Sequence, residues 1–172
     1  LGMTLSMMTM TAFAAGPSAK MPTIDFDGNK TGSITIHKYE YNGEEGKTGT
    51  GEDKQTPPEG ATALAGVTFK ITKIAELDTY YGKDAKALPT VEQAKTMTSI
   101  GTPIVQTTDA TGKTKFDNLT LGLYLVQETE APAQITGKVG DFLVSVPMTN
   151  AAGDDWLYNV HVYPKNSSTY GE

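Results

Sequence analysis

Between Ser33 and Tyr41 the chain reads SITIHKYEY. Its side chains alternate so that Ile34, Ile36 and Lys38 share one face while Thr35, His37 and Tyr39 share the other. That period predicts a strand. A lysine in phase with two isoleucines is unusual, because an inward ammonium is costly unless it is paired or neutralised; near a strand end it can also snorkel out to solvent. The stretch GVTFKITKIA (66–75) repeats the alternation with Val67, Phe69 and Ile71. Four more runs read as strands: KTKFDNL (113–119), GLYLVQET (122–129), DFLVSVPM (141–148) and WLYNVHVY (156–163). In the second of these Tyr124, Val126 and Glu128 share a face, so an in-phase carboxylate repeats the oddity of Lys38. PTVEQAKTMTSIG (89–101) predicts a helix, with Thr90 as its cap and Gly101 as its stop. Residues 42–65, rich in Gly, Glu, Lys, Thr and Pro, read as a long exposed loop. Several strands, one short helix and no βαβ alternation predict an all-β fold, an antiparallel sandwich.

A length of 172 residues suits one domain with a real core. The net charge is −6 and no basic run exceeds a couple of residues, which argues against nucleic acid as a partner. The absence of cysteine excludes disulfides, thiolate zinc sites and cysteine nucleophiles. The first residues, LGMTLSMMTMTAFAAGPSA, form an apolar run with an A-x-A pattern at Ala12-Phe13-Ala14. They read as a secretory signal lacking its positive n-region, too short for a membrane span. The expected division is therefore 1–20 as residual signal peptide and leader and 21–172 as a single β-sandwich domain, with no membrane association after cleavage.

Enzyme chemistry finds little support. His37 and His161 are the two imidazoles, each inside a strand pattern, and no G-x-S-x-G, H-E-x-x-H or P-loop occurs. Asp25, Asp27 and Asn29 hint at a calcium loop, but Gly28 is misplaced and Ile36 stands where a bidentate Glu belongs. No metal and no cofactor are expected.

The segment GLYLVQETEAP (122–132) resembles the E-box of the Cna-B-type domains of Gram-positive surface proteins, with Val126 at a position usually Leu. VYPKN (162–166) resembles the pilin motif of sortase-assembled pilus backbone subunits, and GSITIHKYE (32–40) matches the family's first strand. Three separated matches in order resemble the N-terminal domain of a major pilin. This implies an immunoglobulin-like (Cna-B-type) sandwich and a structural subunit of a covalent cell-surface pilus. Lys165 would be the linking amine, within the motif Tyr163, Pro164 and Asn166. Its ε-amine would attack the sorting-signal Thr of another subunit, held as an acyl-enzyme by a class C (pilin) sortase. Proline fixes its own φ and keeps the preceding residue extended, so Tyr163-Pro164 ends the strand and aims the lysine.

The resemblance also implies an internal Lys–Asn isopeptide between Lys38 and Asn159, or Asn166 instead, with Glu128 as assisting acid. Asn159 is out of phase with the apolar face of Tyr158, Val160 and Val162, so a bulge or the Asn166 alternative is needed. A plain Lys38–Glu128 salt bridge is the simpler reading of the same residues, and some members of the family lack the bond. Further implied partners are neighbouring pilin subunits and a host or surface ligand, on a Gram-positive cell wall. Further C-terminal domains with a sorting signal are expected beyond Glu172. The competing readings are a Cna-B-type adhesin or stalk module with Lys165 incidental, and a secreted carbohydrate-active enzyme.

Overall fold

Eleven strands form among the described residues, all but β3 and β5 on the expected runs: β1 (Thr31–His37), β2 (Tyr39–Glu40), β3 (Thr62–Ala63), β4 (Thr68–Glu76), β5 (Ile104–Thr107), β6 (Lys113–Thr120), β7 (Gly122–Glu130), β8 (Phe142–Val146), β9 (Met148–Thr149), β10 (Trp156–Leu157) and β11 (Asn159–Val162). They come from a computed structural model that describes residues 21–26, 29–40, 50–53, 60–81, 84–135 and 138–164. The expected signal segment, residues 1–20, lies outside the described residues, as does most of the 42–65 loop. Among the described residues no helix is long and apolar enough to cross a membrane.

Two sheets make the sandwich. One has the order β11-β1-β6 and the other β5-β4-β7-β8; β2-β3 and β9-β10 form small two-stranded pairs. The larger sheet is antiparallel throughout. The smaller departs from the antiparallel expectation: β1 runs antiparallel to β6 but parallel to β11, with Ser33 opposite Asn159 and Ile36 opposite Val162. First and last strands can lie parallel because the whole domain serves as their crossover connection.

The core fills the space between the sheets. Ile34, Ile36, Phe116, Val160 and Val162 from the smaller sheet meet Phe69, Ile71, Tyr124, Val126, Phe142 and Val144 from the larger. A second apolar cluster sits on the outer face of the larger sheet, where Ile74, Leu123, Leu125 and Leu143 are covered by Ala94, Val91, Met97 and Tyr80. Strand β7 is thus buried on both faces, which explains its unbroken Leu-Tyr-Leu-Val run.

The cover contains the one α-helix among the described residues, α1 (Val91–Ala94), shorter than the 89–101 prediction. Its start is as expected: the Gln93 N–H donates to Thr90 Oγ1 at 3.1 Å, and the Thr90 N–H donates to Gln93 Oε1 at 2.9 Å. It stops early because Thr96, Thr98 and Ser99 follow, side chains that compete for backbone partners. Thr96 Oγ1 indeed donates to the Gln93 carbonyl at 2.8 Å.

Where β1 ends, the backbone of Lys38 is clamped from two sides. Its N–H donates to the Gly112 carbonyl at 2.7 Å, and its carbonyl accepts from the Leu64 N–H at 3.0 Å. Gly112 has φ +77°, and a Cβ there would stand 2.5 Å from the Lys38 carbonyl oxygen. Gly112→Ala therefore combines left-handed strain with a backbone clash. The expected loss is about 2 kcal/mol, read as a lower urea midpoint at unchanged m-value.

Candidate functional site

The smaller sheet sorts its side chains by parity. The even positions of β1, Ile34 and Ile36, enter the core, and Lys38 continues that phase one residue beyond the strand. Lys38 is completely buried, and Glu128, inward on β7 beyond Tyr124 and Val126, is 3 % exposed. Burial lowers the Lys38 amine to about 8, against the opposing pull of Glu128 and then Glu40. Burial likewise raises the Glu128 carboxyl, opposed first by Lys38 and then by the Val139 N–H, which donates to Glu128 Oε1 at 3.3 Å. The two groups are each other's strongest opposite charge, and desolvation outweighs that attraction at both. Lys38 and Glu128 are thus both buried and within electrostatic reach of each other.

Asn159 is elsewhere. It pairs with Ser33, whose hydroxyl donates to Asn159 Oδ1 at 2.9 Å, and its side chain lies on the exposed face. Lys38 follows the inward phase and Asn159 the outward one, so the register sets them on opposite faces of the smaller sheet. The Lys38–Asn159 pairing read from sequence does not fit this geometry, and no bulge in β11 restores it. The inward positions of β11 are Val160 and Val162, both buried, followed by buried Pro164. Two residues past the last register pair, Ile36 opposite Val162, come Lys38 on one strand and Pro164 on the other.

Of the pilin-motif residues, Tyr163 and Pro164 are described and buried, whereas Lys165 and Asn166 lie outside the described residues. The Tyr163 ring stacks on His37 at 4.3 Å between centroids and 13° between planes. Its hydroxyl donates to the Asp53 carbonyl at 3.0 Å. The motif tyrosine is therefore fixed against β1 and against the stretch 50–53. That stretch is also tied to β11, since the His161 N–H donates to the Gly51 carbonyl at 2.8 Å.

Sequence reasoning missed that His37 and His161 meet. They are the outward, odd-numbered residues of two parallel neighbours, and with Asp53 they line an open groove of about 660 Å³ together with Lys113 and Lys115. Burial lowers His37 to about 4, helped by His161 and Lys113 and opposed by Asp53. Burial also lowers His161, against Asp53. The shared parity was visible in the sequence; the parallel register that makes them neighbours was not.

Comparisons with known proteins agree with this architecture. Residues 29–167 match the family model described as Gram-positive pilin subunit D1, N-terminal domain. The chain is 36 % identical over 168 residues to fimbrial subunit type 1 of Actinomyces viscosus, covering 94 % of this chain and 31 % of that protein. Among solved structures it resembles the full-length major pilin SpaD of Corynebacterium diphtheriae, with TM-score 0.68 and 43 % identity over 84 % of this chain and 33 % of that one. It also resembles the C. diphtheriae SpaA pilin solved in complex with a signal peptide, with TM-score 0.55 and 25 % identity over 82 % of this chain and all of that one. The chain spans about a third of the length of the fimbrial subunit and of SpaD. These relatives are structural subunits of fimbriae, not enzymes. With a family match over most of its length and a shared Cna-B-like sandwich, this chain belongs to the Gram-positive pilin D1 family of N-terminal domains.

Proposed function

We propose that this domain is the acceptor end of a covalently assembled cell-surface pilus, on which a class C sortase joins Lys165 to the sorting-signal Thr of a neighbouring subunit. The observation that carries this reading is the anchoring of the motif immediately before the lysine. Tyr163 is stacked on His37 and hydrogen-bonded to the Asp53 carbonyl, and Pro164 is buried, so the chain is held rigidly up to the residue that must be presented. The solved complex of the related SpaA pilin with a signal peptide supports a peptide segment as the docking partner. A lysine attacks as the neutral amine, which is scarce at neutral pH for an ordinary lysine pKa of ~10.4, so the sortase removes the proton during transfer.

We further infer an internal isopeptide between Lys38 and Asn166, assisted by Glu128. Asn166 shares the even-numbered parity of Val160, Val162 and Pro164, and Lys38 stands level with the end of that strand. At a lysine pKa of about 8, roughly a tenth of the amines are neutral at pH 7, against fewer than about one in a thousand for an ordinary lysine. The neutral Nζ attacks the carboxamide carbon and protonated Glu128 polarises its oxygen. Proton relay through the carboxyl releases ammonia, leaving one amide bond and a carboxylic acid. Two buried ionisable partners become one neutral linkage and one acid that burial keeps protonated.

Two outcomes test these readings. With a pilin sortase and a sorting-signal peptide, the wild-type chain forms a conjugate and Lys165→Ala forms none; equal conjugation by both removes Lys165 as the acceptor. Intact mass of the purified chain should fall short of its sequence by one ammonia. Asn159→Ala should keep that loss, whereas Lys38→Met, Glu128→Ala and Asn166→Ala should each show the full mass. A full-mass wild type, or an Asn166→Ala variant that still loses ammonia, refutes the assignment.

A further inference from the structure

The outward face of the β1–β11 pair carries three ligand-type side chains that the linkage chemistry does not use. His37 Nε2 lies 2.9 Å from His161 Nδ1. Asp53 Oδ1 lies 3.8 Å from the first and 3.4 Å from the second. A circle through these three atoms has a radius of about 2.0 Å, which is the length of a zinc–imidazole or zinc–carboxylate bond. Three ligands of a tetrahedral ion form such a triangle, with the ion just out of their plane and its fourth position free.

We propose that His37, His161 and Asp53 form a binding site for one divalent transition-metal ion of the zinc type, with the fourth position open to the groove. Imidazole nitrogen with one carboxylate oxygen suits that class of ion rather than calcium or magnesium, which take oxygen. The ligands are held before any ion arrives. His37 is buried on β1 beneath the Tyr163 ring, His161 is fixed by its backbone bond to Gly51, and Tyr163 grips the Asp53 carbonyl. Without metal one ring nitrogen donates to the other. With metal the donor ring takes its other tautomer, so its proton moves to the nitrogen facing away and none is released.

Lys113 and Lys115 share the groove. Their charge opposes a bare cation and favours an anionic fourth ligand, a hydroxide or a carboxylate. The bound ion would cross-link the first strand, the last strand and the stretch 50–53, a clip of the kind a chain without cysteine cannot make from disulfides.

Titration of the tag-free chain with ZnCl₂ tests this directly. The chain has two histidines, so both imidazole Hε1 resonances should move together and saturate at one equivalent. Co²⁺ should give the visible d–d bands of a tetrahedral site. Asp53→Asn, at an exposed position, and His161→Gln should each weaken zinc binding by at least roughly tenfold, with the metal-free urea midpoint of Asp53→Asn unchanged. Histidine resonances that stay put under excess zinc overturn the proposal. So does wild-type affinity in both variants, which would assign the metal to carboxylates elsewhere.

Discussion

The parallel pairing of β1 with β11 is the constraint on which the arrangement of the smaller sheet's side chains depends. Once Ile36 lies opposite Val162, the parity of two short strands decides which side chains enter the core and which line the outer groove. A slip of one residue would turn Ile34, Ile36 and Lys38 outward and bring Ser33, Thr35 and His37 into the space between the sheets. The core forbids this, because Ile34 and Ile36 pack against Phe116 and the aromatic and aliphatic residues of the larger sheet. Hydrophobic burial thus sets the register, and the register places the chemistry.

Both faces of that strand pair carry polar groups, and each face handles them differently. Inside, Lys38 and Glu128 are buried, and burial pushes both toward their neutral forms. Outside, Ser33, Asn159, His37 and His161 are joined by hydrogen bonds along the groove. Tyr163 connects the two, since it ends the strand whose even positions line the core while its ring lies against His37 on the outer side. The larger sheet contributes the rigidity behind them. Its middle strand β7 is buried on both faces, because the segment around α1 covers Leu123 and Leu125. Glu128 is therefore carried by one of the strands least able to move.

Much of this was readable in the residues, for reasons that differ from element to element. The six strong strands announced themselves because each carries alternating or continuous apolar residues with turn residues at its ends. Strand β5 did not: Ile104 and Val105 lie at a sheet edge and stay exposed, so no alternation marks them. The helix was over-extended because a capping box says where a helix starts but little about how far it runs. Lys38 and Glu128 were conspicuous through their phase with apolar neighbours, a signal that needs no knowledge of partners. Asn159 was misassigned because its placement depends on whether β11 runs parallel and in which register, and strand pairing is a non-local property. The His37–His161 contact was hidden for the same reason, and Asp53 more so, since it belongs to no periodic element.

A buried lysine beside a buried glutamate is a poor way to stabilise a core. Removing two ions from water costs several kcal/mol each, and their mutual attraction rarely exceeds that cost by much. Here the balance is visible in Lys38 itself: Glu128 and Glu40 both favour its charged form, yet burial still holds the amine down to about 8. An apolar pair of similar volume would pack the same space without that penalty. The unfavourable placement is compatible with the condensation proposed above, which would replace the two ions by one neutral linkage and one acid. Lys38 has been carried one residue past the end of β1, clamped by Gly112 and Leu64 at its backbone, to a place with no exposure at all.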